Sequence, residues 1–163
     1  MKAHFEMMAA YNAWANRRLY DAVGALPEAD RKADLGAFFK SLHGTLNHLL
    51  VADTVWMARF RDRPNPPLTL DQVLHKEHDA IRAAREEMDA DIVAFFGALP
   101  AEDYAKDFTY RNMAGEPFTQ PRGPAFAHFF NHQTHHRGQC HAMLTRLGAE
   151  APPLDLIYHL RNA

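Results

Sequence analysis

Histidine is the residue type in this chain that points most directly to chemistry. The 163 residues include 11 histidines, and imidazole is the commonest metal ligand and the side chain that titrates closest to neutral pH. His132 and His136 stand four residues apart in a segment of helical periodicity, at the edge of its apolar arc. Residues at this spacing lie about 5–6 Å apart, from Cβ to Cβ, on one helix face. The two imidazoles can therefore share one metal ion.

A third ligand has to come from another part of the chain. His48 is the candidate, because it lies at the margin of the apolar arc of an earlier predicted helix. His43 lies on the opposite margin of that helix, and His128 and His135 turn further towards solvent. An alternative stays open here, since histidines four residues apart also arise by chance and can be hydrogen-bonded core residues.

Three neutral histidines would leave at least one coordination position for water or substrate, as in catalytic zinc sites. A metal ion in such a site lowers the pKa of a bound water or thiol and so produces a nucleophile. The pattern differs from the His-Glu-x-x-His helix of metalloproteases, because Gln133 occupies the position of the general base. Cys140, the single cysteine, falls in an apolar arc and is interpreted as a packing residue.

Two charged residues lie within apolar arcs, Asp53 on the predicted helix of His48 and Arg137 beside His136. Burying either charge alone would cost several kcal/mol. A buried Asp53–Arg137 ion pair would remove this cost. Asp53 could instead accept the free ring N–H of a ligating histidine, or frayed helix ends could let both charges reach solvent. The sequence leaves these three arrangements open.

The spacing of apolar residues predicts four long amphipathic helices that carry these side chains. They span residues 4–26, 34–61, 69–99 and 123–147. The apolar stripe of the second helix begins at Phe38 and Phe39. The third helix begins at Thr69, which fits a capping box with Gln72. Four such helices with almost no strand indicate an all-α four-helix bundle.

Two shorter segments complete the predicted architecture. Residues 108–110 and 117–119 flank 112–116 as a short hairpin or ordered loop before the last long helix. After two prolines, residues 154–160 are expected to form a short helix that packs on the bundle. The length of the chain fits a single domain over residues 1–163.

Composition and charge exclude several classes of function. A net charge of −2 and a pI near 6.6 imply no broad basic surface, so we expect no nucleic-acid partner. No apolar run approaches the roughly 18–20 residues of a membrane span, and the first residues lack the apolar core of a signal peptide. A single cysteine cannot form an internal disulfide, which suits a reducing compartment. The expected location is the cytoplasm, with no membrane partner.

Several motifs together carry a family resemblance. Residues 11–16 read Tyr-Asn-Ala-Trp-Ala-Asn, His48 is followed by Trp56, and residues 155–158 read Asp-Leu-Ile-Tyr. Residues 131–139 read Asn-His-Gln-Thr-His-His-Arg-Gly-Gln, and the run His-x-x-x-His-Arg-x-Gln within them is the most specific part. Over nearly its whole length the chain resembles the damage-inducible DinB/YfiT-like family of four-helix bundle proteins.

The resemblance implies a bundle of up-down-down-up connectivity that often dimerises. It also implies a divalent metal ion, nickel or zinc, on three histidines, which correspond to His48, His132 and His136. Some members of the family are transferases or isomerases that use bacterial low-molecular-weight thiols, and others are hydrolases. The residues expected to contact the ligands or to line the pocket are Asp53, Trp56, Arg137 and Gln139.

Three hypotheses for function follow. The first is a metal-dependent thiol S-transferase or hydrolase that acts on a small molecule through an open three-histidine site, with a low-molecular-weight thiol as a co-substrate of the transferase. The second is a non-catalytic metal-binding protein with a role in stress response. The third is a structural bundle whose histidines are ordinary polar residues. An all-imidazole site tolerates Zn, Ni, Fe or Cu, and affinity order alone would favour Cu.

Overall fold

Four long helices form where apolar residues recur at helical spacing, and they pack side by side as an all-α bundle. The computed structural model describes residues 1–161. Its elements in chain order are α1 (Lys2–Gly24), α2 (Glu28–Lys32), α3 (Leu42–Phe60), α4 (His78–Ala98), a 3₁₀ turn (Ala101–Ala105), β1 (Asp107–Arg111), β2 (Pro117–Pro121), α5 (Arg122–Arg146) and α6 (Leu156–Arg161). The predicted fold class is confirmed.

Helices α1 and α4 are antiparallel neighbours. Lys2 Nζ, at the start of α1, donates hydrogen bonds of 2.8 Å to the carbonyl oxygens of Gly97 and Leu99 at the end of α4. Asp21, near the end of α1, forms an ion pair of 2.5 Å with Arg82 in the first turns of α4. The start of each helix therefore lies beside the end of the other.

Helices α3 and α5 are also antiparallel neighbours. The ring of Phe60, at the end of α3, packs edge-on against Phe126 near the start of α5, with centroids 4.8 Å apart. His48, in the first half of α3, lies beside His136 in the second half of α5, with centroids 4.6 Å apart.

The remaining neighbours run parallel. In α3 and α4, Asp53 contacts Arg85 at 2.6 Å. Phe60 stacks on Phe95, and both of these residues lie closer to the C-terminal end of their helix. In α1 and α5, the rings of Phe5 and Phe126 lie 5.6 Å apart near both helix starts. With α1 taken as up, α3 and α4 run down and α5 runs up, which is the connectivity that the resemblance implied.

The predicted hairpin and tail both form. Strands β1 and β2 pair antiparallel, with Thr109 opposite Thr119 and their hydroxyls 2.8 Å apart. Helix α6 packs on α1, where the His159 ring lies 5.6 Å from Trp14. None of the helices in residues 1–161 combines the length and the apolar character that crossing a bilayer demands.

Two predicted helix starts were wrong. Helix α3 begins at Leu42 rather than at 34, because Ser41 caps it by accepting a 3.0 Å hydrogen bond from the Gly44 N–H. Phe38, predicted in the apolar stripe, is instead 85% exposed in the loop before the helix. Helix α4 begins at His78 rather than at 69. The Thr69 N–H does donate to the side chain of Gln72, but this contact closes a turn rather than a helix.

The core has two apolar halves with polar residues between them. The half towards the hairpin is rich in aromatic side chains, including Phe5, Phe60, Phe96, Phe126 and Phe129. The other half is mainly aliphatic and includes Leu19, Leu42, Leu46, Ile81 and Leu144. Along each helix the two halves are separated by a set of buried residues called here the polar layer: Asn12 and Asn16 on α1, Asp53 on α3, Arg85 and Asp89 on α4, and Gln133 and Arg137 on α5.

Candidate metal centre

Three imidazoles converge where α3 and α5 pass each other. One ring nitrogen from each of His48, His132 and His136 lies within 4.8 Å of the other two. Nε2 of His48 is 3.2 Å from Nε2 of His132. The His136 ring centroid is 4.6 Å from that of His48 and 4.4 Å from that of His132. The structure thus brings together the three residues selected from the sequence, and they are called the histidine triad below.

Hydrogen bonds to oxygen atoms outside the triad orient two of these rings. His48 Nδ1 lies 2.8 Å from the carbonyl oxygen of Leu70, and His136 Nδ1 lies 2.8 Å from Oε1 of Gln139. Both oxygens accept, so Nδ1 carries the proton in each ring and Nε2 presents its lone pair to the triad. A metal-ligating histidine has the same arrangement, with its second nitrogen donating to an oxygen.

The spacing of the donors fits a transition-metal ion. With Zn–N distances of about 2.0–2.1 Å, tetrahedral coordination places two ligand nitrogens roughly 3.3 Å apart. The two Nε2 atoms of His48 and His132 have a separation of 3.2 Å. Neutral imidazoles are donors that first-row divalent ions accept. The residues present therefore fit the metal that the resemblance implied.

Burial keeps the triad in the neutral form that metal binding requires. Burial, followed by repulsion from the neighbouring His136 and His48 rings, lowers the pKa of His132 to about 3. Burial lowers the pKa of His136 to about 4, against the opposing hydrogen bond to Gln139. It also lowers the pKa of His48, against the hydrogen bond to Leu70. All three rings are thus neutral at pH 7.

Phe39 forms a wall on one side of the triad. Its ring stacks on His48 with centroids 3.7 Å apart and an interplanar angle of 16°, and it meets His136 edge-on at 5.7 Å. The Phe39 backbone presses on α3 so closely that a Cβ added to Gly44 would lie 2.2 Å from the Phe39 carbonyl oxygen. The next residue, Lys40, has a left-handed φ of 66°. The sequence had placed Phe39 in a helix, where it could not take this position.

Trp56, predicted to contact the ligands or line the pocket, is separated from the triad by His128. Its ring packs against His128 at a centroid distance of 5.1 Å, and His128 lies 6.0 Å from His132. The guanidinium of Arg59 lies over the Trp56 ring at 4.7 Å. A row of rings thus leads from the triad along α3 and α5 towards the hairpin.

Asp53 and Arg137 are both buried, and none of the three arrangements that the sequence left open for them forms. Asp53 Oδ2 accepts from Arg85 Nη1 at 2.6 Å and from Gln133 Nε2, rather than from Arg137 or a triad histidine. Arg137 Nη1 donates to Asn12 Oδ1 and, at 3.4 Å, to Gln133 Oε1. The partner of Asp53 comes from α4, a helix whose rotation relative to α3 the sequence pattern does not define.

These contacts close a ring through all four long helices. Asn12 Nδ2 donates to Asp89 Oδ1 at 3.2 Å, and Arg85 Nη2 lies 3.0 Å from the same oxygen. The ring runs from Arg137 through Asn12, Asp89, Arg85, Asp53 and Gln133 back to Arg137. Burial alone would lower the pKa of Arg85, but the two carboxylates outweigh it and hold that pKa above its usual value. Two positive and two negative charges cancel in the polar layer.

The comparisons with known proteins agree with this geometry. A family model that represents the DinB family matches residues 1–163. The chain belongs to the DinB family. A curated relative, the protein DinB of Bacillus subtilis (strain 168), is 24% identical over 151 residues, which cover 89% of this chain and 87% of that protein.

Two solved structures share the fold of this DinB-family chain. A DinB-like protein from Bacillus cereus superposes with a TM-score of 0.65 and 16% identity, over 85% of this chain and 89% of its own. YfiT from Bacillus subtilis superposes with a TM-score of 0.68 and 11% identity, over 92% and 91% of the two chains. YfiT is described as a probable metal-dependent hydrolase with an unusual four-helix bundle topology.

Other reactive side chains of this DinB-family member lie outside the triad. His43 contacts the Asn47 side chain at 3.2 Å, on the far margin of α3 as predicted. Cys140 is completely buried, and burial raises the pKa of its thiol to about 12. Among residues 1–161, Phe39 and the Leu70 carbonyl are neighbours of the triad that the sequence did not indicate. Both come from loops, where no periodic pattern marks a side chain or a backbone oxygen.

Proposed function

We propose that this DinB-family chain is a metal-dependent enzyme that holds a divalent ion, zinc or nickel, on His48, His132 and His136. The reaction class we propose is hydrolysis of a small molecule or transfer of a low-molecular-weight thiol to it. The observation that carries the proposal is the convergence of three neutral imidazoles, two with their Nδ1 protons committed to outer oxygens. The description of YfiT as a probable metal-dependent hydrolase supports the hydrolase form.

The chain's own residues prepare the site for this chemistry. His48 and His136 keep their Nε2 lone pairs inward because Leu70 and Gln139 accept their Nδ1 protons. Phe39 shields one face of the triad from water. Lewis-acid activation of a water or thiol at neutral pH is what an ion with three imidazoles and an open position supplies. The nucleophile comes from outside the protein, since Cys140 is sealed in the core.

Metal analysis of purified protein tests the ligand set. We expect about one zinc or nickel ion per chain, with His48→Ala, His132→Ala and His136→Ala each weakening affinity by more than about 100-fold, since even outer partners are worth 10–100-fold. His141→Ala, a change on the same helix as His132, is the matched control and should bind as the wild type does. Metal retained at full stoichiometry in all three triad variants would refute the assignment.

Activity assays separate the proposed enzyme from a non-catalytic metal-binding protein. Metal-loaded protein is tested on ester and amide panels without thiol, and on electrophiles with low-molecular-weight thiols. Turnover that chelation abolishes and the added ion restores is the expected result, in the first panel for a hydrolase and in the second for a transferase. Tight metal binding with no turnover in either panel favours the non-catalytic stress-response role.

The expectation of a homodimer rests on the family resemblance. Light scattering coupled to size exclusion, with and without the ion, measures the mass of the particle directly. A mass of two chains supports the dimer, and a mass of one chain contradicts it.

A further inference from the structure

A cleft lies at the opposite end of the row of rings that starts at the triad. It has a volume of about 590 Å³ and is bounded by the end of α3, the proline-rich loop after it and the β-hairpin. The charged residues that line it are Arg59, Arg63, Arg111 and Asp62. We call it the hairpin cleft. Three arginines against one aspartate give it a positive character, although the chain as a whole has a net charge of −2.

Arg59 is the central feature of this cleft. It is only 7% exposed, and its guanidinium packs against two adjacent aromatic rings, 4.7 Å from Trp56 and 5.0 Å from Tyr110. Its Nε donates to Asn65 Oδ1 at 3.0 Å, and its Nη2 lies 3.7 Å from the sulfur of Met113. These partners fix the plane of the guanidinium but carry no negative charge.

Arg85, which is also deeply buried, differs from Arg59 in this respect, because it contacts the carboxylates of Asp53 and Asp89. The side chains that Arg137 contacts are neutral, as they are for Arg59, but one of them, Asn12, links it by a hydrogen bond to the carboxylate of Asp89. Among residues 1–161 no carboxylate forms an ion pair with Arg59. Burial lowers the pKa of Arg59, with only Tyr110 opposing it. A buried cation normally has a partner, because desolvating an unpaired charge is costly.

The acidic groups nearest the cleft are already engaged. Asp62, the acid among the described lining residues, pairs with Arg122 at 3.3 Å. Glu116, in the hairpin turn, accepts a hydrogen bond of 2.8 Å from the Asn112 side chain. Arg111 Nη1 donates to the Gly115 carbonyl oxygen at 2.6 Å, which holds this second arginine on the hairpin side of the cleft.

We propose that the hairpin cleft binds the oxyanion of a small molecule, a carboxylate or a phosphate, with Arg59 as the main contact. The planar guanidinium matches the geometry of both groups and can bind them bidentately. Arg63 and Arg111 add positive charge at the rim, and Tyr110 and Met113 offer apolar surface to the rest of the ligand. The competing interpretation is that the two aromatic rings alone satisfy Arg59 through cation–π contacts.

The chain contains a reporter for this site. It has two tryptophans, Trp14 and Trp56, and Trp56 stacks on Arg59. In a Trp14→Phe background, the fluorescence of Trp56 is followed while inorganic phosphate, phenyl phosphate, acetate or benzoate is added against sodium chloride of equal ionic strength. We expect a saturable change that chloride does not produce. The phosphate and carboxylate arms identify the preferred oxyanion, and metal-free protein is used so that the result is independent of the triad.

Matched substitutions locate the binding. Arg59→Gln should remove saturable binding, and Arg59→Lys, which keeps the charge but loses the fork, should weaken it by roughly tenfold. Arg17→Gln removes an exposed arginine outside the cleft and should bind as the background does. Far-UV circular dichroism checks the folding of each variant. If Arg59→Gln does not fold, Arg63→Gln and Arg111→Gln test the proposal instead. Each is expected to weaken the affinity for the oxyanion by about threefold.

Two results would overturn the proposal. One is the absence of a saturable response to all four probes in the background protein. The other is unchanged affinity in folded Arg59 variants or in both rim variants. Failure of metal binding at the triad would leave this proposal standing, because the cleft and its arginines do not depend on the ion.

Discussion

The histidine triad and the polar layer are two polar clusters that share helix α5, and they differ in how their polar groups are satisfied. Gln133 and Arg137 follow His132 and His136 by one residue each, so α5 presents one pair to the bundle centre and the other to its margin. The layer balances two positive charges against two negative charges within one hydrogen-bonded ring through four helices. The triad instead gathers three like donors that face one another. Closing the ring of charged and amide side chains stabilises the fold, whereas the inward-facing nitrogen atoms of the triad create a site for a ligand.

The largest predicted effect comes from opening the ring. Arg85→Met leaves Asp53 and Asp89 buried without their cation and should lower the free energy of unfolding by about 3–5 kcal/mol. This is a large part of the roughly 5–15 kcal/mol that a typical domain possesses. Urea denaturation monitored by circular dichroism measures the change.

Arg82→Met is the control for that experiment. Arg82 lies three residues before Arg85 on α4 but is partly exposed, and its ion pair with Asp21 is at the surface. Surface pairs contribute about 0–1 kcal/mol, so this variant should stay close to the wild type. Equal losses in the two variants would contradict the role given to the ring.

A smaller effect is expected from titrating the triad. The pKa of His132 is about 3 in the folded protein, below the usual histidine value of 6.5, so the unfolded chain binds more protons between these values. Stability is therefore full above pH 6.5 and is lost as the pH falls towards 3, with a slope of up to about 1.4 kcal/mol per pH unit for this residue.

The measurement compares metal-free wild type with His132→Ala between pH 7.5 and pH 5. The free energy of unfolding of the wild type should fall by about 2 kcal/mol more than that of the variant over this range. If the two curves have the same slope, His132 is not the desolvated neutral ring described here.

The sequence predicts features of the fold and the site that depend on a single helix, and it does not predict those that depend on how separate helices and loops pack together. The His132–His136 pair follows from one helix's periodicity, and His48 from the margin of another. The partner of Asp53 does not follow, because the identification of Arg85 requires the relative rotation of two helices. The spacing of Thr69 and Gln72 correctly predicts the hydrogen bond from the Thr69 N–H to the Gln72 side chain, but a turn forms there and the helix begins only at His78. Phe39 depends on a loop whose path is determined by the close approach to Gly44.

A third prediction concerns that loop. Gly44→Ala places a Cβ 2.2 Å from the Phe39 carbonyl oxygen, so the loop must move and the stack of Phe39 on His48 is lost. Overpacking of this kind costs about 1–3 kcal/mol. Metal affinity and the urea midpoint are both measured, and both should fall.

Gly138→Ala is the matched change on α5, where an added Cβ meets nothing within 4 Å. It should raise the free energy of unfolding by about 0.5–1 kcal/mol, as expected for glycine to alanine inside a helix. A Gly44→Ala protein as stable as Gly138→Ala, with unchanged metal affinity, would show that Phe39 does not support the site.

The parallel course of α3 and α4 has a consequence for how such a bundle can vary. Because both helices run the same way, residues 61–77 must travel back along the bundle, a distance of about 28 Å for a 19-residue helix. On that return path the chain passes the triad and offers it the Leu70 carbonyl. A connector that contributes no side chain to the triad thus accepts the Nδ1 proton of His48, and insertions or deletions there can change the surroundings of the triad while its three histidines stay the same.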